Sequence, residues 1–148
     1  MECGLFDCPK AWRAWLPPGA RGVERKEELA QVVWDLMALT PSGLLQLEKG
    51  LLHCRILLLP SGSPLELAAL ADAECLITYG LSSRDSLTLS SLEAPVLCVQ
   101  RTLPRPDGSI VEPQELPLDS LPAPAEELLP LLGLYLLQMP LADGRNIW

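Results

Sequence analysis

Two continuous apolar runs organise the middle of the chain. Ile56-Leu57-Leu58-Leu59 and Cys75-Leu76-Ile77-Thr78-Tyr79 carry almost no polar position. Such runs suit strands covered on both faces, as in a parallel sheet. Between them lies "PSGSPLELAALADA", residues 60–73. Its Ser63, Pro64 and Glu66 form a capping box with proline at the first helical position, which predicts a helix start. Strand (52–59), helix, strand (75–79) is a βαβ unit with a right-handed crossover.

Before the first run the period changes. In "ERKEELAQVVWDLMAL", residues 24–39, Leu29, Val32, Val33, Leu36 and Met37 recur at i, i+3, i+4, i+7 and i+8. That spacing predicts an amphipathic helix, with Glu24, Glu27 and Glu28 placed to suit its dipole. Thr40-Pro41 reads as N-cap and N1 of a second short helix ending near Lys49-Gly50. Residues 1–22 show no clear period. Trp12, Trp15 and Leu16 cover one side of a short helix, stopped by Pro17-Pro18-Gly19, and the segment reads as an N-terminal arm.

After Gly80 the pattern becomes one of alternation. Leu87 and Leu89 alternate with Ser86, Thr88 and Ser90, which predicts a half-buried strand whose hydroxyls face solvent. Glu93-Ala94-Pro95 is a turn, and Val96–Leu103 is another strand. The stretch 104–109, with Asp107-Gly108, is a hairpin turn. Ile110–Leu118 returns as an edge strand, because Pro113 and Pro117 do not fit a central one. A final Leu-rich helix opens at Pro124 or Ala125 and runs to about Met139, ended by Pro140. A tail over 141–148 follows, whose Trp148 is expected to dock on its own chain or a neighbour's.

The predicted class is therefore α/β and Rossmann-like. It is a small two- or three-layer domain with a mixed sheet, in which one parallel βαβ unit is followed by an antiparallel meander. N-terminal helices and a C-terminal helix complete it. The whole chain, 1–148, reads as one domain: arm 1–22, helical 23–50, mixed sheet 51–118, helix 124–139 and tail.

Composition sharpens this picture. The 148 residues are 49% hydrophobic but only 5% aromatic, so the core is aliphatic. A chain of this size buries enough surface to fold without staples. With 11 Lys and Arg against 19 Asp and Glu, the formal charge is −8. An acidic field without a basic stripe argues against nucleic acid and against anionic membranes. No secretory signal is visible, and no apolar run approaches the ~20 residues a spanning helix needs. The expected location is the cytoplasm. The cysteine count of five (Cys3, Cys8, Cys54, Cys75, Cys98) is odd, and three lie in apolar runs, which predicts free buried thiols.

Candidate chemistry is sparse. The single histidine, His53, has no nucleophile elbow near it, and no G-x-S-x-G occurs. His53-Cys54 would point to opposite faces of a strand, so with Cys3 and Cys8 they make a poor zinc set. Neither phosphate-loop signature is present. Glu126-Glu127 sit at a helix start, where dipole compensation explains them. "PSGSP" does precede a helix N-terminus, the usual seat of an anion. Arg84-Asp85 follows the end of the 75–79 strand, where open parallel sheets bind ligands; Gln100-Arg101 is a second polar pair of interest. The residues expected to line such a site are Ser61, Ser63, Tyr79, Gly80, Ser82, Ser83 and Arg84. No catalytic residue, metal or cofactor is expected.

The order Thr78-Tyr79-Gly80, Asp107-Gly108, Leu116-Pro117-Leu118 and Leu-rich helix resembles the late central-domain segment of the Mur ligases. In those enzymes a T-Y-G-like strand end is followed by an antiparallel meander with a D-G turn and a further helix. The likeness spans about residues 75–135. The family's phosphate loop and the His-Asn of its closing helix are missing here, so only the structural Tyr79 and Gly80 carry over. The chain is also similar to short uncharacterised bacterial proteins of anaerobic Firmicutes with a YG…(T/S)xTxSS…QR…DG…EPQE(L/F)P pattern. Together the likenesses imply a ligase-like half-domain without catalytic machinery. Two functions are thus expected: a non-catalytic binding or assembly module with a protein partner or a second copy, or a binder of a nucleotide- or amino-acid-like molecule at the C-terminal edge of the parallel strands.

Overall fold

A computed structural model describes residues 1–62 and 65–138. The chain runs β1 (Cys3–Phe6), a 3₁₀ segment (Lys10–Trp15), β2 (Ala20–Val23), α1 (Lys26–Leu29), β3 (Trp34–Leu39), α2 (Pro41–Leu45), β4 (His53–Pro60), α3 (Leu65–Ala68) and β5 (Asp72–Tyr79). It continues as β6 (Leu87–Leu89), β7 (Val96–Val99), β8 (Leu103–Pro104), β9 (Ile110–Val111), β10 (Gln114–Pro117) and α4 (Ala125–Gln138). Eight strands form one sheet in the order β10-β7-β6-β5-β4-β3-β1-β2, and β8 and β9 form a separate hairpin. Strands β2, β1, β3, β4 and β5 are mutually parallel. β6 joins β5 in parallel through the single pair Tyr79–Leu87, so it extends beyond the tip of β5 and does not lie alongside it. β7 and β10 add antiparallel pairs. The mixed α/β class expected from the sequence is the one observed.

The predicted helix over 24–39 is not formed. Only Lys26–Leu29 is helical, and Trp34–Leu39 is a strand between β1 and β4. The helical spacing of Leu29, Val32, Val33, Leu36 and Met37 was met by chance, and Val33 is 69% exposed. The run Leu36-Met37-Ala38-Leu39 is wholly buried, a burial on both faces that a central strand provides and a surface helix does not. The indole N–H of Trp34 donates to the Leu29 carbonyl at 3.0 Å, taking a group that a continuing helix would have used.

The expected N-terminal arm also needs correction. Cys3–Phe6 is an interior strand flanked by β2 and β3, and Leu5 and Phe6 are fully buried. Four residues are too few to show a period. Gly4 lets Trp34 cross over it: a Cβ there would lie 2.9 Å from Trp34 Cζ3. The short helix after Thr40 starts as read but ends at Leu45, not near Lys49-Gly50. Thr40 Oγ1 accepts from Gly43 N at 3.1 Å, with Pro41 at the first helical position.

The β1–β2 connection crosses one sheet face, where Trp12, Trp15 and Leu16 join the core under α4. The connections β2–β3, β3–β4 and β4–β5 cross the other, where Leu29, Leu44, Leu67 and Ala68 pack. This gives three layers. Helix α4 lies on the first face, with Leu128, Leu129, Leu131, Leu132, Leu134, Leu136 and Leu137 at 1% exposure or less. Each such burial is worth about 1.5–3 kcal/mol before entropy is charged. Gly133 brings the helix onto β4, because a Cβ there would meet Leu58 Cδ2 at 2.4 Å. Buried Arg105, from the β8–β9 turn, donates from Nε to the Leu136 carbonyl at 2.9 Å and fixes the far end of α4.

Two further expectations meet the structure here. Ser86 and Thr88 are buried, at 4% and 8%; of the three hydroxyls, Ser90 alone is exposed. The solvent-face reading fails for the first two: Arg101 donates to Ser86 Oγ at 3.3 Å, and Thr88 pairs with Cys98 of β7. The expected strands Val96–Leu103 and Ile110–Leu118 are each split: Leu103–Pro104 and Ile110–Val111 pair in the separate hairpin, and only β7 and β10 join the main sheet, with β10 at its edge. Leu118 N donates inward to Pro95 O, so Glu115 and Pro117 turn their backbone outward, and Pro117 has no N–H to offer. The edge is blunted against another strand. Pro64 and the tail with Trp148 lie outside the described residues, as does Met139. Among the described residues no helix is long and apolar enough to cross a membrane.

Candidate functional site

The C-terminal tips of β4, β5 and β6 meet at a polar knot. Ser61 follows β4, and its N–H donates to Tyr79 O at 2.9 Å. The Asp85 carboxylate, 2% exposed, accepts from Ser61 Oγ and from Ser82 N through the same oxygen, each at 3.0 Å. Gly80 makes this closure possible: a Cβ there would sit 2.4 Å from Ser61 Oγ and 2.6 Å from Asp85 Oδ2. The loop is fastened from β7. Gln100 Nε2 donates to Ser83 O (2.9 Å) and Asp85 O (2.8 Å), and Arg101 donates to Arg84 O (3.0 Å) and Ser86 Oγ (3.3 Å). The two polar pairs singled out in the sequence, Arg84-Asp85 and Gln100-Arg101, are thus brought together.

Beside the knot runs a groove of about 470 Å³. Leu59, Ala68, Leu76 and Thr78 form its floor, and Ser61, Ser82, Arg84 and Asp85 its rim. The floor is open because α3 is a single turn and does not cover β5; Leu76 is 52% exposed. The guanidinium of Arg84 has no carboxylate partner among the described residues.

Of the predicted site residues, Ser61, Ser82 and Arg84 line this groove. Gly80 lies beneath the knot as a spacer. Ser83 is exposed and offers only its carbonyl, to Gln100. Tyr79 points to the opposite sheet face, where its hydroxyl donates to Leu39 O at 2.6 Å. Its burial pushes the phenol pKa up, so it stays a neutral donor. Ser63 lies outside the described residues. Sequence reasoning missed the apolar floor, since Leu76 within a buried-looking run gives no sign that one face is uncovered.

A second cleft was not read from the sequence at all. It lies where the strand order reverses, between the tips of β1 and β3, which is where doubly wound sheets place ligands. Asp7 follows β1 with φ 58°, and its N–H donates to Val23 O at 2.8 Å. Ser42 Oγ donates to the Asp7 carboxylate. Thr40 Oγ1 lies 3.2 Å from both the Phe6 and Asp7 carbonyls. The cleft measures about 500 Å³ and reaches Trp12, Tyr79 and the first turns of α4. Its signal was the dipeptide Phe6-Asp7, which is legible only once Cys3–Phe6 is known to be a strand.

Other reactive side chains lie elsewhere. His53 sits at the opposite, N-terminal end of the parallel strands, with Nδ1 3.1 Å from Asp72 Oδ2 and Nε2 3.2 Å from Gly50 O. All five cysteines are free. Desolvation pushes Cys3 up to about 11 and Cys54 to about 12, leaving both as protonated thiols of low nucleophilicity. Among the described residues no three His, Cys, Asp or Glu side chains gather as metal ligands would. The fold and its two clefts define a doubly wound α/β module with a polar C-terminal edge. No family model, curated protein or solved structure matches the chain.

Proposed function

We propose that this protein is a non-catalytic binding module that holds a small molecule with an anionic head, a phosphate or carboxylate, and an apolar body. The reading rests on one observation. Arg84 presents a guanidinium without a carboxylate partner among the described residues, beside the Ser61 and Ser82 hydroxyls and above an apolar floor. An arginine fork suits either head group. Binding is favoured over turnover because the nearby carboxylate, Asp85, is already engaged by two internal donors. The Mur-ligase-like order of motifs supports a nucleotide- or amino-acid-like ligand. A cytoplasmic setting is supported by the five free thiols. Assembly through β10 forms no part of the proposal, given its blunted edge.

A thermal-shift screen with nucleotides, muropeptide fragments and amino acids is the test. A hit should lose about tenfold or more in affinity on Arg84→Ala, the loss of one charge-assisted hydrogen bond. Nucleotides and carboxylates in separate arms identify the head group. No stabilising compound, or one indifferent to Arg84→Ala, would count against the reading.

A further inference from the structure

We infer that the Arg84 groove takes a zwitterionic head, the carboxylate and ammonium of an α-amino acid, with an aliphatic side chain laid on its floor. This rests on the binding role proposed for that groove and narrows the ligand. Asp85 carries it. Its side chain lines the groove although the residue is only 2% exposed. Its Oδ2 takes both internal donors, Ser61 Oγ and Ser82 N. Its Oδ1 takes no hydrogen bond among the described residues. Nor is Oδ1 sealed off: among those residues the fully enclosed side-chain oxygen or nitrogen without a partner is Gln138 Oε1.

A buried carboxylate with one open oxygen is an incomplete ion site. The neighbouring cation does not complete it. Arg84 makes no ion pair with Asp85, or with any other carboxylate among the described residues. Two consecutive residues of opposite charge thus line one groove without neutralising each other. A ligand carrying both signs satisfies the two at once and brings no net charge with it. A phosphate monoester does not, because it sets up to about two negative charges beside Asp85 with one arginine to offset them. A plain carboxylate leaves Oδ1 without a donor, and a plain amine leaves the guanidinium without an acceptor.

The rim hydroxyls sort in the same way. Ser82 Oγ accepts from Arg84 N at 3.1 Å, and its own proton has no acceptor among the described residues. It supplies a second donor for a carboxylate beside the guanidinium. Ser61 Oγ has given its proton to Asp85, so toward a ligand it can only accept, which suits an ammonium. The floor side chains Leu59, Ala68 and Leu76 are aliphatic, and Leu76 is 52% exposed. A ligand side chain laid over Leu76 removes apolar surface from water on both partners. At about 470 Å³ the groove is within the size range of small-molecule sites.

The test is calorimetric titration of the full chain with leucine of either hand and with its two halves. Isocaproate is leucine without the ammonium, and isoamylamine is leucine without the carboxylate. Adenosine monophosphate is the phosphate arm. Saturable binding of leucine is expected, about tenfold or more tighter than isocaproate, the difference of one charge-assisted hydrogen bond. Isoamylamine should be weaker than leucine by a similar factor. Asp85→Asn, the same shape without the charge, should abolish the preference for leucine over isocaproate. Arg84→Ala should weaken both acids about equally. The ligand series on the wild-type chain carries the test if Asp85→Asn does not fold. Isocaproate bound as tightly as leucine overturns the zwitterion and leaves the anionic head standing. Adenosine monophosphate bound more tightly than leucine, and sensitive to Arg84→Ala, does the same. Isoamylamine bound as tightly as leucine, or no saturable binding of any probe in the millimolar range, overturns both. A leucine preference that survives in a folded Asp85→Asn overturns the role of Asp85.

Discussion

Replacing Gly80 with alanine tests the knot that shapes the groove. The new methyl would sit 2.4 Å from Ser61 Oγ and 2.6 Å from Asp85 Oδ2, well inside contact distance. Ser61 would have to rotate away, and its 3.0 Å bond to Asp85 would be lost. A hydrogen bond to a charged group contributes about 1.5–3 kcal/mol. Residual crowding of the 2% exposed carboxylate adds strain, so a total of about 2–4 kcal/mol follows. For a chain of this length that lowers Tm by roughly 5–15 °C. Thermal or urea unfolding of four proteins measures it: wild type, Gly80→Ala, Ser61→Ala and the double variant. With Oγ already absent, Gly80→Ala should cost at least about 1 kcal/mol less, a coupling expected of groups in contact. A Tm unchanged by Gly80→Ala, or a cost just as large without the Ser61 hydroxyl, would refute the claim that this glycine exists to let Ser61 and Asp85 meet.

Two other perturbations separate competing effects. Gly133→Ala gains about 1 kcal/mol of helix propensity but drives a methyl to 2.4 Å from buried Leu58 Cδ2, overpacking that costs about 1–3 kcal/mol; net destabilisation in urea unfolding is expected, and stabilisation would show that α4 is free to shift. For pH, Cys3 and Cys54 have folded pKa values above the ordinary 9.0, so the folded state holds their protons longer than the unfolded chain does. Their contribution is intact below pH 9.0 and declines from there toward about 11 and 12, so Tm should fall over that range, and less steeply in Cys3→Ala/Cys54→Ala.

The chain by itself determined those features whose cause is local. Ile56–Leu59 announces a covered strand because every position in it is best out of water; Cys75–Tyr79 announces its neighbour in the same way, although one face of that strand stays open at Leu76. Thr40-Pro41 announces a helix start because side chain and ring act on the adjacent backbone. Asp107-Gly108 and the prolines of 113 and 117 place a turn and an edge by restricting their own dihedrals and donors. What only the tertiary structure decided depends on neighbours distant in sequence. Cys3–Phe6 and Trp34–Leu39 become strands because each supplies the other's hydrogen bonds across 33 residues, a gain that outweighs the helical spacing of Leu29 to Met37. Arg84-Asp85 and Gln100-Arg101 were legible as polar pairs, but their junction arises from the turn between β6 and β7. Ser86 and Thr88 are buried by contacts that no periodicity encodes. The cleft beside Asp7 exists only because the strand order reverses there. Pattern along a chain reports what each residue prefers; which strands lie side by side is settled by the sum of contacts over the whole sheet.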